Sequence, residues 1–207
     1  MPPSHVPLAP ARLDADTRAS WRGSAAWFLA LAAVISQTRE GHLSKLDELA
    51  IRSLRPGRRA GIARAVSGLA EPEFVSCLLA ARAAAGARRG GWRAAAPLLV
   101  VASGAVVRRR LSQVIARPRP PAAVWLAQPE GFSLPSRHTT LAVLAMGACA
   151  ASLSPRGYPK HAAALLTATG VGASRVYLGV HWPSDVLAAW LFAEGWLTLA
   201  ESLGFTR

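Results

Sequence analysis

The stretch SRVYLGVHWPSD, residues 174–185, lies between two apolar segments and places three polar side chains at fixed intervals. His181 follows Arg175 by six residues and precedes Asp185 by four. Pro183 is suited to the first turn of a helix, so we expect Asp185 in that turn and within reach of His181. A carboxylate bonded to one ring nitrogen fixes the histidine tautomer and leaves the other nitrogen as a nucleophile. The alternative is a buried His–Asp hydrogen bond with a structural role only.

The composition around this stretch favours a membrane protein. The chain has 207 residues, of which 52% are hydrophobic, a high fraction for a soluble domain of this size. The apolar segments are 24–37, 74–87, 94–107, 139–152, 162–173 and 186–203. Most are shorter than the ~20 residues that a bilayer core requires, so a soluble helical protein is the alternative. Tryptophans at segment edges and many small residues predict an all-α polytopic membrane bundle, with six helices crossing or entering the bilayer.

The N-terminal part of the chain differs from the rest. Residues 1–20 are rich in proline and polar groups and predict a disordered tail, which leaves 21–207 as one domain. Residues 41–56 have apolar residues at helical spacing, with Ser44 and Asp47 placed to form a capping box. This amphipathic helix could lie at the membrane surface or pack against a soluble core, and the pattern allows both.

The charge balance is strongly basic and rests on arginine. The chain has 24 Lys and Arg against 11 Asp and Glu, and all but two of these cations are arginine. A nucleic-acid-binding protein is expected to show a basic stripe or tail with few long apolar runs, which is the opposite of this layout. The arginine bias instead suits the recognition of phosphate groups.

A second polar interruption, RRRLSQVIARPRP at 108–120, follows the third apolar segment. Arg110 and Arg117 are seven residues apart, which would put them on one face of a continuous helix. Two guanidinium groups aligned in this way could hold one phosphate by forked hydrogen bonds. The alternative is a solvated basic flank of a membrane helix.

A third interruption, LPSRHTT at 134–140, precedes the fourth apolar segment. Pro135 predicts a helix start, where the backbone N–H groups of Ser136 and Arg137 would point outward and form an anion site. His138 projects from the same turn, where a plain polar cap is the alternative role. If the helices alternate sides of the membrane, all three interruptions lie on the same side.

In order and spacing, the three interruptions resemble the type 2 phosphatidic acid phosphatase (PAP2) superfamily. The family pattern is lysine, six residues and Arg-Pro, then Pro-Ser-Gly-His, then Ser-Arg, five residues, His, three residues and Asp. The positions that match are Arg110, Arg117-Pro118, Pro135, Ser136, His138, Ser174-Arg175, His181 and Asp185. Arginine replaces the family lysine at Arg110 and the family glycine at Arg137. The resemblance spans about residues 45–203 and is absent from the first 40 or so.

The resemblance implies a phosphatase that needs neither a metal nor another cofactor. In that mechanism His181 attacks phosphorus to give a phosphohistidine, Asp185 holds His181, and His138 protonates the departing oxygen. The charge on the equatorial phosphate oxygens would be stabilised by Arg110, Arg117, Ser136, Arg175 and the backbone of Arg137.

A membrane-embedded member of this family would act on a lipid phosphate, and membrane lipids would be its other partners. The preferred substrate is polyprenyl-linked, such as undecaprenyl or decaprenyl (di)phosphate or a decaprenyl phosphosugar carrying a phosphate. Phosphatidate and phosphatidylglycerol phosphate are alternatives. A vanadium-dependent haloperoxidase is less compatible because those relatives are soluble and much larger, and a non-catalytic lipid-binding protein would lack one of the catalytic histidines or the aspartate.

The resemblance also implies an integral protein of the bacterial plasma membrane with the active site facing outward. The distribution of positive charge does not decide the orientation. Without four of the proposed site arginines, ten basic residues would face one side and nine the other, so the positive-inside rule gives no preference. The sequence makes no prediction about the oligomeric state.

Overall fold

The chain folds into helices joined by short connections. The computed structural model describes residues 15–54, 59–90, 94–153 and 158–205, and no strand occurs among them. The helices in these ranges are α1 (Ala15–Arg39), α2 (His42–Ser53), α3 (Ala60–Gly68), α4 (Pro72–Gly90), α5 (Ala96–Ile115), α6 (Arg137–Leu153), α7 (Tyr158–Tyr177) and α8 (Pro183–Ser202). A 3-10 turn at Ala122–Val124 lies between α5 and α6. The all-α prediction is confirmed.

The predicted apolar segments all fall on the six longer helices, and α2 and α3 are additional short ones. Within the described ranges, no helix is both long and apolar enough to qualify as a membrane crossing. The number of crossings therefore stays a prediction.

The first helix begins earlier than expected. Residues 1–14 of the predicted tail lie outside the described residues, but α1 starts at Ala15, within the range assigned to the tail. The Ser20 hydroxyl donates to the carbonyl oxygen of Thr198 at 3.0 Å, and the Ser24 hydroxyl donates to that of Gly195 at 3.1 Å. These bonds hold the first half of α1 against α8, and the helix includes residues 15–20 of the segment assigned to the tail.

Helix α6 lies at the centre of the bundle. Its residues 138–145 are all buried, as expected for a helix surrounded by other helices. The main core cluster joins α6 to α4, α5 and α8 through Val75, Leu79, Val100, Val101, Leu141, Val143, Leu144, Ala145, Ala148, Ala193, Leu197 and Ala200. Helix α7 packs on α6, and α1 packs along α8. The polar ends of these helices are thereby brought to one region.

Small residues allow the close helix contacts that the sequence suggested. A Cβ atom on Gly172 of α7 would lie 2.2 Å from Val186 Cγ1 of α8, and one on Gly147 of α6 would lie 2.3 Å from Leu197 Cδ1. Larger side chains at these positions would separate the helices.

Helix α2 differs from its predicted capping but keeps its amphipathic character. Its N-cap is Gly41 with no side-chain cap, and Ser44 lies inside the helix, so the predicted capping box was wrong. Asp47 is instead 2% exposed and faces the protein, because its carboxylate is bonded to α8 and Arg117. Leu46 and Leu49 are each 63% exposed. Outward leucines favour the membrane-surface alternative over packing against a soluble core.

The connection between α7 and α8 depends on one glycine. Gly179 has a φ of 70°, in the left-handed region, and a Cβ there would lie 2.1 Å from the carbonyl oxygen of Val124. The adjacent backbone is fixed by a 2.9 Å bond from the Leu126 N–H to the Leu178 carbonyl. Gly179 therefore sets the path of the chain just before His181.

We predict that Gly179→Ala lowers the free energy of unfolding by about 2–4 kcal/mol, from left-handed strain and the clash with a backbone carbonyl. Thermal unfolding of the purified protein in detergent, followed by tryptophan fluorescence, would measure the loss. Gly170→Ala is the matched control. A Cβ at Gly170, inside α7, would meet no atom within 4 Å, so this change should be neutral or stabilise by up to ~1 kcal/mol. Equal effects of the two changes would contradict this account of the loop.

Candidate active site

The three polar interruptions meet at Asp185, whose buried carboxylate and backbone carbonyl accept hydrogen bonds from all of them and from the adjoining Ser133. Asp185 Oδ1 accepts a 2.6 Å hydrogen bond from Arg117 Nη1. Asp185 Oδ2 accepts from the backbone N–H of Trp182 at 2.8 Å and from the Ser133 hydroxyl. Because each donor comes from a different part of the chain, the carboxylate holds the start of α8 against the segments that follow α5 and precede α6.

His181 lies between Asp185 and an arginine. His181 Nδ1 is 3.3 Å from Asp185 Oδ2, and His181 Nε2 is 3.1 Å from Arg119 Nη1. A guanidinium group can only donate, so this hydrogen-bond pattern assigns the ring proton to Nδ1 and the lone pair to Nε2. This is the tautomer that a nucleophilic histidine requires.

The surroundings of His181 keep its ring neutral. Burial lowers the pKa of His181 to about 4, and the positive charges of Arg119 and Arg175 act in the same direction, against the opposing effect of Asp185. At neutral pH the ring is therefore uncharged and Nε2 carries a lone pair, which accepts from Arg119 in this structure.

Arg110 is not part of this arrangement, contrary to the prediction. Helix α5 ends at Ile115, and Ala116 has a left-handed φ of 51°, so the chain turns before Arg117. The predicted seven-residue spacing assumed a continuous helix, and without it Arg110 and Arg117 do not share a face. Arg110 is exposed on α5. Arg117 comes to the site from the following loop and contacts carboxylates there.

The arginine beside His181 is Arg119, which the sequence analysis did not select. Its Nε donates to the Gly131 carbonyl, its Nη1 donates to the Val180 carbonyl, and its Nη2 donates to the carbonyls of Glu130 and Phe132, at 2.7–3.1 Å. These bonds fix the guanidinium plane with one remaining N–H directed at His181 Nε2. The sequence did indicate Arg119 as a second candidate, because residues 117–120 contain two successive Arg-Pro pairs.

The second Arg-Pro pair changes the alignment with the family pattern. Counting back from Arg119 places Ser112 at the position of the family lysine. The nearest inward cation is Arg108, which lies one helical turn earlier and donates from Nη1 to the Pro135 carbonyl at 3.0 Å. Positive charge is thus retained on this face of α5, but at a different residue.

The predicted anion site at the start of α6 is only partly formed. The helix begins at Arg137 and not at Pro135, and the peptide bond between Leu134 and Pro135 is cis. The Ser136 N–H donates to the Asp185 backbone carbonyl at 3.2 Å, so it does not point outward as predicted. Ser136 is fully buried, and its hydroxyl accepts from the Thr139 hydroxyl. Ser136 therefore supports the fold around Asp185.

His138 pairs with a carboxylate that the sequence analysis missed. His138 Nε2 is 2.9 Å from Glu71 Oε1, which lies between α3 and α4. Burial opposes ionisation of Glu71, but the hydrogen bond and charge of His138, with Arg137 and Arg175, hold the pKa of Glu71 below its usual value. Glu71 therefore stays ionised and orients the His138 ring. No spacing rule connects residues 67 positions apart.

A polar cavity of about 250 Å³ lies in front of this pair, lined in part by Glu71, Arg137, His138 and Arg175. Arg175 Nη1 donates to the Ser67 hydroxyl at 2.6 Å, whereas its buried Nε has no hydrogen-bond partner among the described residues. An unsatisfied buried N–H beside a cationic cavity suits an anionic ligand. His181 is 1% exposed and is not part of the lining, so a ligand must separate it from Arg119 to reach Nε2.

A larger, mainly apolar groove of about 570 Å³ lies between α4, α5 and α6. Its apolar lining includes Val75, Leu79, Leu98, Val101 and Leu141. Arg108, Glu130 and Arg137 also line it, and the last two line the polar cavity as well. The two spaces therefore adjoin at Glu130 and Arg137. Among the described residues, no cluster of His, Cys, Asp or Glu is arranged to hold a metal ion.

The carboxylate of Asp47 ties α2 to the site. Asp47 Oδ2 accepts from Arg117 Nη2 at 2.7 Å, and Asp47 Oδ1 accepts from the backbone N–H of Ser184 at 3.0 Å. Arg117 thus bridges Asp47 and Asp185 with opposite sides of its guanidinium group. Its role in this structure is to hold Asp185 in place.

We predict that Asp47→Ala destabilises the protein by about 3–5 kcal/mol, because it leaves the buried charge of Arg117 with one carboxylate fewer. Unfolding in detergent would measure the loss. Glu48→Ala on the same helix is the control. Glu48 is exposed and pairs with Arg52 four residues away, so its loss should cost at most ~0.5 kcal/mol. A similar small effect at both positions would show that the Asp47 contact contributes little.

Comparison with known proteins supports the resemblance seen in the motifs. The chain is similar to the crystal structure of the first transmembrane PAP2 type phosphatidylglycerolphosphate phosphatase from Bacillus subtilis. The TM-score is 0.78 at 23% sequence identity, with 88% of this chain and 96% of the other covered. At this identity the match establishes the fold. No curated protein matches the chain.

The family model described as the PAP2 superfamily matches residues 93–207, which is more than half of the chain. This region contains α5 to α8 and all three polar interruptions. The chain therefore belongs to the PAP2 superfamily, and it is a hydrolase of phosphoric ester bonds.

Proposed function

We propose that this hydrolase removes phosphate from a lipid phosphate monoester or diphosphate, and that the lipid is polyprenyl-linked. The observation that supports a lipid substrate is the junction of the apolar groove with the polar cavity at Glu130 and Arg137. A substrate with a hydrocarbon chain and a phosphate head would occupy both spaces at once. The preference for an isoprenoid chain comes from the family resemblance.

The proposed reaction uses two displacements at phosphorus. His181 Nε2 attacks phosphorus, the bond to the leaving oxygen breaks, and the phosphoryl group remains on His181. Water then attacks the phosphohistidine and releases inorganic phosphate and neutral His181. Asp185 keeps the Nδ1 proton in place and stabilises the charge that forms on the ring. We assign no step to a metal or another cofactor.

Arginines would stabilise the charge on the phosphoryl oxygens. Arg119 and Arg175 are the best placed, because one lies against His181 and the other has an unsatisfied N–H at the polar cavity. Fixed donors of this kind contribute a few kcal/mol each to transition-state stabilisation in other enzymes, about 3–4 kcal/mol in a measured case. Arg117 and Ser136 would act indirectly by holding Asp185.

His138 is the proposed proton donor to the leaving oxygen and the base for the attacking water. Burial and then the charge of Arg175 lower the pKa of His138 to about 4, while the Glu71 carboxylate at 2.9 Å opposes this shift and orients the ring. The cavity that both residues line is large enough for a phosphate group.

Phosphatidylglycerol phosphate is the second candidate substrate. The structural neighbour from Bacillus subtilis is a phosphatase of that lipid, and its fold covers most of this chain. The groove and cavity described above do not favour one lipid over the other, since both combine a hydrocarbon tail with a terminal phosphate. Attachment to the bacterial plasma membrane is part of the same proposal and is supported by the outward leucines of α2. The outward-facing orientation of the site comes from the family resemblance.

We predict that the purified protein in detergent releases phosphate from polyprenyl diphosphate in excess EDTA, because the proposed nucleophile and charge stabilisers are side chains of the protein. A panel with polyprenyl monophosphate, phosphatidate and phosphatidylglycerol phosphate would rank the substrates by kcat/KM. Loss of all activity with EDTA and its recovery with Mg²⁺ would refute the metal-free mechanism. A clear preference for phosphatidylglycerol phosphate would establish the second candidate.

Substitution of His181 and substitution of His138 should have different effects on the reaction. His181→Ala should abolish both turnover and covalent labelling by radiolabelled substrate, because the attacking nitrogen is lost. His138→Ala should slow turnover of the lipid by about 10²- to 10⁴-fold, because an alkoxide is a poor leaving group without a proton donor. With p-nitrophenyl phosphate, whose leaving group needs little protonation, the His138 variant should still become labelled at His181.

Quench-flow, with detection of the acid-labile phosphoprotein, would follow this labelling. His42→Ala, at an exposed histidine on α2, is the control and should leave both rates unchanged. Label on the His181 variant, or equal losses of the His138 variant toward both classes of substrate, would show that the roles are assigned wrongly.

A further inference from the structure

The junction between the groove and the cavity carries two arginines whose charges the catalytic steps above do not use. Arg137 lines both spaces, and Arg108 lines the groove beside it. Arg108 is half-buried and is held by one hydrogen bond from Nη1 to the Pro135 carbonyl. Neither residue follows the family pattern, since Arg137 replaces its glycine and Arg108 lies one turn before the position of its lysine.

The positive charge at this junction exceeds the negative charge around it. The charges that act on Arg108 are those of Arg137, Arg119 and Arg109, and all are positive. The carboxylate paired with Arg137 is Glu130, at 3.1 Å, and its side chain is 80% exposed. An exposed ion pair of this kind contributes little stability, so an incoming anion can displace it. Half-buried arginines that repel one another are costly unless an anion binds between them.

We propose that Arg108 and Arg137 form a second phosphate subsite, which binds a phosphate group on the leaving-group side of the scissile phosphate. This inference rests on the proposed function and narrows its substrate class. The scissile phosphate would occupy the cavity of His138 and Arg175, and the second phosphate would replace the Glu130 carboxylate beside Arg137. The hydrocarbon chain would continue into the apolar groove.

The subsite discriminates between the candidate lipids by their chemistry. A polyprenyl diphosphate, a polyprenyl phosphosugar carrying a phosphate and phosphatidylglycerol phosphate all have a second phosphate between the scissile group and the hydrocarbon chain. A polyprenyl monophosphate and phosphatidate have none. The protein should therefore prefer the first group, because a guanidinium–phosphate contact is a charge-assisted hydrogen bond and can be bidentate.

Paired substrates with the same lipid test the proposal: polyprenyl diphosphate against monophosphate, and phosphatidylglycerol phosphate against phosphatidate. The wild-type ratio of kcat/KM within each pair should favour the two-phosphate member. Arg108→Gln and Arg137→Gln should each reduce that ratio on the order of 10- to 100-fold. Arg110→Gln is the matched control, because it removes the same charge from an exposed position on α5 and should leave the ratio unchanged. Equal losses of kcat/KM toward both members of a pair would overturn the proposed subsite.

A lipid-free measurement separates this inference from the proposed function. Methylenediphosphonate contains two linked phosphonates, whereas methylphosphonate contains one, and thermal shift assays can compare their binding to the full chain. We expect wild-type protein to bind the diphosphonate more tightly and both glutamine variants to lose that advantage. If no lipid phosphate is hydrolysed but this selectivity is present, the lipid assignment fails and the subsite stands. Equal binding of the two compounds by wild-type protein would overturn the subsite whatever the lipid activity.

Discussion

The burial of the Asp185 carboxylate is the constraint on which the candidate active site depends. An ionised carboxylate removed from water is stable only when charged and polar donors surround it. Here Arg117, Ser133, the Trp182 N–H and His181 supply these contacts, and they come from separate segments of the chain. The contacts that stabilise this one carboxylate therefore hold three segments together: the connection after α5, the residues just before α6 and the start of α8. His181 receives its tautomer from the same arrangement.

The arginine side chains of the site are also held in fixed positions by contacts within the protein. Arg119 is surrounded by the backbone carbonyls of Gly131, Val180, Glu130 and Phe132, so its guanidinium group is fixed with one N–H on His181. A donor fixed in advance needs little reorganisation when charge develops on a phosphoryl group. Arg117 is used differently, because two buried carboxylates hold it on opposite sides. Two arginines from one Arg-Pro-Arg-Pro run thus have separate partners: Arg119 contacts His181, and Arg117 contacts Asp47 and Asp185.

Some of the site was predictable, and the failures have identifiable physical causes. The His181–Asp185 pair was predictable because both residues lie within five positions of each other at a proline-marked helix start. The arginine alignment failed because it assumed that α5 continues to residue 117, whereas the left-handed conformation of Ala116 ends it. That conformation is uncommon for alanine, and no local sequence rule would predict it. Glu71 was missed and Asp47 was assigned to a capping box because their actual partners are distant in sequence.

The sequence by itself determined the helical class, the six apolar helices and the histidine–aspartate pair, because these depend on residue periodicity and short spacing. The tertiary structure decided which arginine faces His181, which carboxylate orients His138, and that Arg137 stands where an apolar groove meets a polar cavity. These contacts join segments that are separated by tens of residues. Such contacts form only after the helices pack, because the requirement to neutralise buried charge applies to the folded chain and is not encoded at any single position.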